Sequence, residues 1–391
     1  MRREDFGPNF PGRLVPTLDR SALAFVPDPL PPAVEITSRT LHVLVEASDA
    51  LGELRGIGRT LPNPALVIRP FARREAILSS RIEGTTAGFA DLAIYEASDE
   101  TLDRPDDVRE VANYLAALDY SFALLHDMPV CNRLIRLVHE RLLKGVRGQE
   151  RRPGEFRQFQ NAIGILGTGA EGVRFMPPPV KEMTEAMHAL EVYIGSRPST
   201  PSLLVQLALI HYQFETIHPF MDGNGRMGRL LIPVILRERG FLPTPLLYLS
   251  AYFDRHKEEY KDRLLAVSQQ DQWDEWIGFF LTGVAEQSRE AIAMSDRLLA
   301  LQSAYRDQLT GPRVSVNQAR LVDFLFEHPA VTASQVARRL DVSTRGAYDL
   351  IKRLVERGIL EEVTGRSYNQ IFLAQGIAQI TVPEDNPRIR F

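Results

Sequence analysis

A tight glycine-rich turn leads directly into a helical stretch between His218 and Arg239, in the segment HPFMDGNGRMGRLLIPVILRER. The glycines leave backbone N–H groups uncovered, and the first N–H groups of a helix have no acceptor within the helix. The positive end of the helix dipole strengthens their attraction for negative charge. The segment therefore predicts a phosphate site formed by a loop and a helix N-terminus.

Four charged or titratable side chains add to this prediction. Arg226 and Arg229 are three positions apart, so they lie on one face of the helix, and two guanidinium groups there suit a polyphosphate. Asp222 is a candidate ligand for Mg²⁺, because Mg²⁺ on a nucleotide takes only one or two protein carboxylates. His218 is a candidate general base. Each feature alone is more often structural, but their combination within twelve residues favours a function.

Length and composition limit the class of protein. A chain of 391 residues exceeds one ordinary core, so two or three domains are expected. The net charge of −4 argues against polyanion binding by the whole chain, and the single cysteine, Cys131, leaves no internal disulfide to form. The sequence shows neither a signal peptide nor a run of about 18 to 20 apolar residues, which a membrane helix requires. We therefore expect a cytoplasmic protein.

Helical periodicity dominates the chain and predicts a mainly α fold. We expect an N-terminal region at 1–105 with a helix at about 63–84, and a helical core at 106–305 that carries a short β-hairpin flap at about 160–177. The proline-rich first thirty residues are expected to be extended and to lie on the surface. At 311–391, three short helical segments and an alternating hairpin predict a winged helix-turn-helix domain.

The segment from His218 to Arg229 resembles the Fic motif, HxFx(D/E)GNGRxxR, at every defined position. Enzymes of that family mostly transfer AMP from ATP to a hydroxyl side chain (Ser, Thr or Tyr) of a target protein. The resemblance implies that His218 is the general base and that Asp222 holds Mg²⁺. It implies that Arg226 binds the β-phosphate and Arg229 the γ-phosphate. The implied anion hole consists of Gly223, Asn224 and Gly225.

The resemblance extends to a flap and to a nucleotide contact. PGEFR at 153–157 and FMPPP at 175–179 look like the flap region of the family, which holds the backbone of the target by strand-like pairing. Tyr260 falls where the family places contacts to the nucleotide, although members often have two consecutive tyrosines and this chain has Tyr260-Lys261. Core packing is an equally good explanation of Tyr260. The implied target-docking residues are Gly172, Val173, Arg174 and Phe175.

SSRIEG at 79–84 resembles the family's inhibitory helix pattern, (S/T)xxxE(G/N). Gly84 predicts the end of a helix, which places Glu83 on the last turn and Ser79 on the same face. The resemblance implies that Glu83 pairs with Arg229 and competes with the γ-phosphate of ATP. Two alternatives stay open: Glu83 is a solvated surface residue, or it also aligns a water molecule that removes AMP from a modified protein.

The winged helix leaves the partner of the protein open. Its third helix carries Arg345, Lys352, Arg353 and Arg357, but acidic residues are interleaved with them, so DNA and a protein are both candidate partners. A target protein, self-modification and homodimerisation are further candidates. The alternative function is a nucleotide-sensing, DNA-binding regulator. The intact His218 favours an enzyme, because a sensor needs phosphate contacts but no base.

Overall fold

A computed structural model describes residues 1–18, 22–61, 63–98, 106–164, 172–309 and 315–381. The chain divides into two compact units, residues 1–55 with 116–288 and residues 56–115 with 289–391. The regions expected at 1–105, 106–305 and 311–391 follow the order of the sequence and stay a prediction.

Helices account for most of the described residues, as the periodicity predicts. They are α1 (Ser38–Thr60), α2 (Ala65–Ile82), α3 (Phe89–Ala97), α4 (Asp106–Leu124), α5 (Asn132–Leu142), α6 (Val180–Ser196), α7 (Leu203–Ile217), α8 (Asn224–Glu238), α9 (Ser250–Arg255), α10 (Lys257–Gln270), α11 (Trp273–Asp307), α12 (Val316–Glu327), α13 (Ala333–Leu340), α14 (Thr344–Val355) and α15 (Gln375–Thr381). In the described ranges, none of these helices combines the length and the apolar character of a membrane span.

The strands are short and antiparallel. Within the described residues they form one sheet of β1 (Gly12–Pro16) and β2 (Leu23–Pro27), a second of β3 (Ile163–Gly164) and β4 (Val173–Phe175), and a third of β5 (Ala330–Val331), β6 (Glu361–Glu362) and β7 (Phe372–Leu373) in the order β5-β7-β6.

Helix α7 lies at the centre of the first unit. Its sequence, LLVQLALIHYQFETI, is apolar almost all round, which is typical of a helix buried on every side. It packs against α6, α8 and α10. The indole N–H of Trp276 donates to the carbonyl oxygen of Ala208 at 2.9 Å, which ties α11 to this central helix.

The N-terminal hairpin differs from the expected surface segment. Ala24 and Phe25 of β2 are fully buried, and β2 packs against α6 and α7. The ring of Phe25 contacts those of Phe6 and Phe175, and its N–H donates to the carbonyl oxygen of Met176 at 2.9 Å. The expectation of a surface segment was wrong for β2, because the proline content conceals a strand whose apolar side chains complete the core.

The winged helix-turn-helix domain is confirmed in the second unit. Helices α12, α13 and α14 pack on one another, and β6 and β7 form the wing beside β5. The hydroxyl of Thr332 accepts the N–H of Gln335 at 3.3 Å, and that of Ser343 accepts the N–H of Gly346 at 3.1 Å. These N-caps satisfy helix donors that otherwise lack an acceptor, and so they fix where α13 and α14 begin.

Helix α2 belongs to the same unit and packs against α12, α15 and α3. Arg73 on α2 is 2% exposed, and its Nε donates to Glu96 at 2.7 Å while an Nη donates to the carbonyl oxygen of Glu327 at 2.6 Å. Tyr114 donates to Glu75 of the same helix at 3.0 Å. The buried polar groups of α2 therefore hold it in a defined position within the second unit.

Candidate active site

The candidate site is the loop that joins α7 to α8. His218 ends α7 in the left-handed conformation (φ 49°, ψ 60°), and Gly223 precedes α8 with a φ of 75°. The side chain of Asn224 accepts the N–H of Phe220 at 2.8 Å and donates to its carbonyl oxygen at 2.8 Å. This pair of bonds fixes the middle of the loop, which is a role that the sequence did not indicate for the Asn224 side chain.

The N-terminus of α8 presents backbone donors at the end of this loop. The first bond within the helix runs from the N–H of Met227 to the carbonyl oxygen of Gly223, at 3.0 Å. The N–H groups of residues 224–226 precede that bond, so they lie where a helix attracts an anion. This geometry matches the backbone arrangement that the sequence predicts, and phosphate binding by it stays a prediction.

Gly223 needs to be glycine for two reasons. Its positive φ is unfavourable for a residue with a Cβ atom. A Cβ atom there would also lie 3.3 Å from Nε2 of His139 and 3.3 Å from a methyl group of Leu143.

Arg226 and Arg229 are both buried on the first turns of α8, with 1% and 2% of their surface exposed. An Nη of Arg226 lies 3.9 Å from Oδ1 of Asp222. The charge of Arg229 contributes to lowering the pKa of His211, after the larger effect of burial. Two buried positive charges therefore lie on the helix that presents the backbone donors.

His218 is half-buried, and its hydrogen bond fixes the tautomer of the ring. Its Nδ1 lies 3.2 Å from the carbonyl oxygen of Glu215. A carbonyl oxygen only accepts, so Nδ1 carries the proton and Nε2 is the basic nitrogen. This is the tautomer that a general base requires.

The carboxylate of Asp222 is partly exposed, with 26% of its side chain accessible, and Oδ1 accepts the N–H of Gly223 at 2.7 Å. In the described ranges, no group of three or more His, Cys, Asp or Glu side chains is placed to hold a metal ion. A single carboxylate fits an ion that is carried mainly by the phosphates of a nucleotide.

His139 on α5 is a residue of the site that sequence reasoning missed. The N–H of Gly154 donates to its Nδ1 at 2.9 Å, so Nε2 carries the proton and donates to the carbonyl oxygen of Asp222 at 2.9 Å. Its ring is stacked on Phe220 at 3.6 Å. Burial lowers the pKa of His139 to about 4, so the ring is neutral at pH 7. The only sequence signal is its position on the buried face of α5.

Arg157 and Asn161, which precede the first strand of the flap, β3, in the sequence, also hold the loop between α7 and α8. Nε of Arg157 donates to the carbonyl oxygen of His218 at 3.0 Å, and the Asn161 amide donates to it at 3.3 Å. Asn161 also donates to the carbonyl oxygen of Phe220 at 2.9 Å. Arg157 belongs to the PGEFR segment that resembles the family's flap region. Its contacts could not be predicted from the sequence, because backbone oxygens are present at every residue.

Tyr260 is packed in the core of the first unit. It is 4% exposed, and its hydroxyl donates to Nε2 of His211 at 2.8 Å. Its ring is stacked on that of Phe253 with centroids 4.5 Å apart. These contacts support the packing explanation, and nucleotide binding by Tyr260 stays a prediction. His211 is 2% exposed and is a structural histidine.

The flap is a β-hairpin, as expected, although the part at 165–171 lies outside the described residues. Gly172 precedes β4, and Ile163 of β3 pairs with Phe175 of β4. An Nη of Arg174 lies 3.6 Å from Glu258, and Arg174 also pairs with Asp262. Phe175 is buried, whereas Val173 is half-buried. Target docking by these residues stays a prediction.

The end of α2 has the geometry that SSRIEG predicts. Glu83 is the C-cap and is exposed, and Gly84 follows with a φ of 99°. The N–H of Thr85 donates to the carbonyl oxygen of Ser80 at 3.2 Å, and that of Gly84 donates to Arg81 at 3.0 Å, which is the Schellman pattern of helix ends. Ser79 is fully buried. The inhibitory role of Ser79, Glu83 and Gly84 stays a prediction.

Residues 129–236, which contain α5, α6, α7 and all but the last two residues of α8, match the Fic/DOC family, and residues 41–123 match the Fic/DOC family N-terminal region. This chain contains a Fic domain. Residues 319–377 match an HTH DNA binding domain, in agreement with the winged helix of the second unit.

Relatives of the Fic domain include curated transferases. A probable protein adenylyltransferase of Aquifex aeolicus is 28% identical over 140 residues, which are 36% of this chain and 40% of the relative. The protein adenylyltransferase Fic of Drosophila ananassae is 31% identical over 141 residues, which are 36% of this chain and 26% of the relative. The chain therefore matches less than half the length of these relatives.

Solved structures show the same fold. A Fic family protein from Desulfovibrio desulfuricans G20 has a TM-score of 0.57 at 23% identity, over 88% of this chain and 98% of that chain. Fic-1 from C. elegans has a TM-score of 0.51 at 19% identity, over 66% of this chain and 74% of that chain. At these identities, the likeness shows the fold alone.

Proposed function

We propose that the protein is an adenylyltransferase that transfers AMP from ATP to a Ser, Thr or Tyr hydroxyl of a target protein or of itself. The observation that carries the proposal is the tautomer of His218, whose basic Nε2 belongs to the loop that leads into the anion-attracting end of α8. The Fic domain and the relatives named protein adenylyltransferase support it.

In the proposed reaction, the acceptor oxygen attacks the α-phosphate of ATP and its proton passes to Nε2 of His218. The bond between the α-phosphorus and the bridging oxygen breaks, and diphosphate leaves with the electron pair. The N–H groups at the start of α8, together with Arg226 and Arg229, stabilise the charge that develops on the phosphates. Asp222 would hold a Mg²⁺ ion, which neutralises charge on the leaving diphosphate.

We further propose that Glu83 inhibits this reaction by pairing with Arg229, which removes a contact to the γ-phosphate. The support is the sequence pattern and the helix end at Gly84, which places a carboxylate at the negative end of the α2 dipole. Such a placement is unfavourable by about 0.3–1 kcal/mol unless a cation compensates for it. The same carboxylate is also a candidate to align a water molecule for removal of AMP.

Labelled ATP tests both parts of the proposal. We expect little self-labelling of the wild type, at least tenfold more in Glu83→Gly, and none in Glu83→Gly with His218→Ala. The controls are Glu185→Gly and His188→Ala, whose side chains are exposed on α6. Equal labelling of wild type and Glu83→Gly would remove the inhibitory role, and labelling that survives His218→Ala would remove the base.

Two extensions of the assay address the remaining choices. Self-labelling measured separately with labelled ATP, GTP, CTP and UTP shows which nucleotide the site accepts. Release of AMP from a labelled protein, lost on Glu83→Gly, would assign the hydrolytic role to Glu83.

A second candidate function is that of a nucleotide-sensing, DNA-binding regulator. It rests on the winged helix. Helix α14 carries exposed Arg345, Lys352 and Arg353. Binding of duplex DNA by the full chain should then weaken as salt rises and weaken further in Arg345→Ala with Lys352→Ala, but not in the exposed control Lys181→Ala. DNA binding without any AMP transfer by Glu83→Gly would favour this function over the enzyme.

A further inference from the structure

Arg157 is a buried arginine whose guanidinium group donates to backbone oxygens from three parts of the chain. It is 2% exposed. Its Nε donates to His218 at 3.0 Å, one Nη donates to Phe159 at 3.1 Å, and the other Nη donates to Pro178. Its backbone N–H also donates to the carbonyl oxygen of Pro219, at 2.8 Å. Arg157 therefore joins the loop that contains His218 to the segment that follows β4.

The charge of Arg157 is retained in this buried position. Burial lowers its pKa to about 10, which still leaves the guanidinium protonated at pH 7. A buried charge is costly unless hydrogen bonds compensate for it. Five N–H donors in a rigid plane can serve several carbonyl oxygens at once, whereas an ammonium group lacks this geometry.

The carbonyl group that Arg157 holds belongs to a residue in an unfavourable conformation. His218 has a φ of 49°, in the left-handed region that residues with a Cβ atom rarely adopt. Such conformations persist where the surrounding structure fixes them. Arg157 and Asn161 both donate to the His218 oxygen, so the unfavourable conformation is held by two independent side chains.

Residues 157–161 also bind the prolines that follow the second strand of the flap, β4. The side chain of Gln160 donates to the carbonyl oxygen of Pro177 at 2.9 Å, next to the Pro178 oxygen that Arg157 holds. These prolines follow β4 after one intervening residue, Met176. Residues 157–161 thus contact both the segment after the flap strand and the loop of the candidate base.

We infer that Arg157 is a positioning residue, which sets the backbone of His218 and the end of the flap in one fixed arrangement. This inference rests on the proposed function, in which His218 takes the proton of the acceptor hydroxyl. A target held by the flap would then present its hydroxyl at a constant distance from Nε2.

The test compares Arg157→Ala, Arg157→Lys and Arg157→Gln in the Glu83→Gly background. We expect kcat of Arg157→Ala to fall about a hundredfold, because a displacement of about 1 Å in a reacting group has an effect of that size. The KM for ATP should change less than threefold, since Arg157 is not among the proposed phosphate contacts. Millimolar guanidinium should restore part of kcat in Arg157→Ala, while Arg157→Lys should recover only part of the loss.

The matched control is Leu190→Ala, on the buried face of α6. Leu190→Ala should lower Tm, but it should not lower kcat a hundredfold, and guanidinium should not raise its kcat. An equal loss of kcat in Leu190→Ala at equal Tm, or an unchanged kcat in Arg157→Ala, would overturn the positioning role.

A second measurement separates this inference from the proposed function. The ring signal of His218 in a ¹³C-histidine NMR spectrum, assigned with His218→Ala, should shift in Arg157→Gln and not in Leu190→Ala. If Glu83→Gly with intact Arg157 takes no label, the proposed function is wrong and the NMR signal alone decides on Arg157. An unchanged His218 signal in Arg157→Gln would then reject the positioning role.

Discussion

Nε2 of His139 donates to the carbonyl oxygen of Asp222 at 2.9 Å, which anchors the loop of the Fic domain to α5. Because Nδ1 of the same ring accepts the N–H of Gly154, a single neutral histidine satisfies two backbone groups on different segments. A side chain that is neither a base nor a phosphate ligand therefore helps to define the site.

Replacing His139 by phenylalanine should preserve stacking on Phe220 but leave both backbone groups without their partner. Each unsatisfied buried group costs about 1–3 kcal/mol, so we expect the free energy of unfolding to fall by about 3 kcal/mol. Urea unfolding followed by circular dichroism measures this. His188→Phe, at an exposed position of α6, should change it by less than about 0.5 kcal/mol. A similar loss in both variants would contradict the role of the two hydrogen bonds.

The buried His211 predicts that acid destabilises the protein. Nδ1 donates to the carbonyl oxygen of Gly228 at 3.2 Å and Nε2 accepts from Tyr260, so the folded state holds a neutral ring. Burial, with the charge of Arg229, lowers the pKa of His211 from 6.5 to about 3. Between these values the unfolded chain binds more protons, so this contribution to stability is complete above pH 6.5 and is lost as pH falls toward 3.

As pH falls from 6.5 toward 3, protonation of His211 alone should therefore lower the free energy of unfolding by about 1.4 kcal/mol for each pH unit. His211→Gln should show a shallower dependence on pH in denaturant titrations between pH 4 and 7. Parallel slopes for wild type and variant would show that His211 does not titrate differently on unfolding.

Gly228 is predicted to resist replacement by alanine. A Cβ atom there would lie 2.3 Å from Oε1 of Glu215, so either the carboxylate or α8 must move. We expect Gly228→Ala to lower the free energy of unfolding by about 1–3 kcal/mol, although alanine is the better helix former. Gly195→Ala, on α6 with nothing within 4 Å, should instead raise it by up to about 1 kcal/mol.

The double variant Glu215→Ala with Gly228→Ala isolates the cause of this penalty. If the carboxylate is the obstacle, the two substitutions together should cost less than the sum of their separate effects. Additive effects would place the obstacle elsewhere, for example at the ring of Phe214, which lies 3.2 Å from the same Cβ position.

Arg73 is predicted to fix α2 within the second unit. Arg73→Met should destabilise the protein by about 3 kcal/mol, because it leaves the half-buried Glu96 carboxylate and the Glu327 oxygen without this donor. Arg59→Met, at an exposed position of α1, is the matched control and should be nearly neutral. Since α2 carries Glu83, Arg73→Met should also increase self-labelling if the proposed inhibition is correct. If Arg73→Met is less stable but takes the same amount of label as the wild type, inhibition does not depend on the position of α2.

The sequence predicted the elements whose signals are local. Apolar periodicity predicts a helix from Val180 to Ser196, which are the bounds of α6, and α8 follows a glycine at positive φ, because periodicity and turn chemistry act over a few residues. The same periodicity predicts one helix from Asp254 to Gln269, but the structure has two, α9 and α10, which meet at His256, whose φ of −111° and ψ of 35° interrupt the helix. No proline or glycine marks this interruption.

The contacts of the candidate site were harder to predict. Arg157 and His139 act on carbonyl oxygens that belong to residues 61 and 83 positions away. Any residue supplies such an oxygen, so the partner leaves no trace in the sequence. The motif itself was recognisable because its glycines, arginines and histidine are required as residue types.

The packing of α2 against α12 and α15 has an evolutionary consequence. A buried arginine on α2 and a carbonyl oxygen of α12 form one shared surface, so substitutions on either helix are constrained by the other. Recombination that exchanged the C-terminal module for an unrelated one would expose the apolar face of α2. The N-terminal helix and the winged helix are therefore expected to be inherited together and to diverge in step.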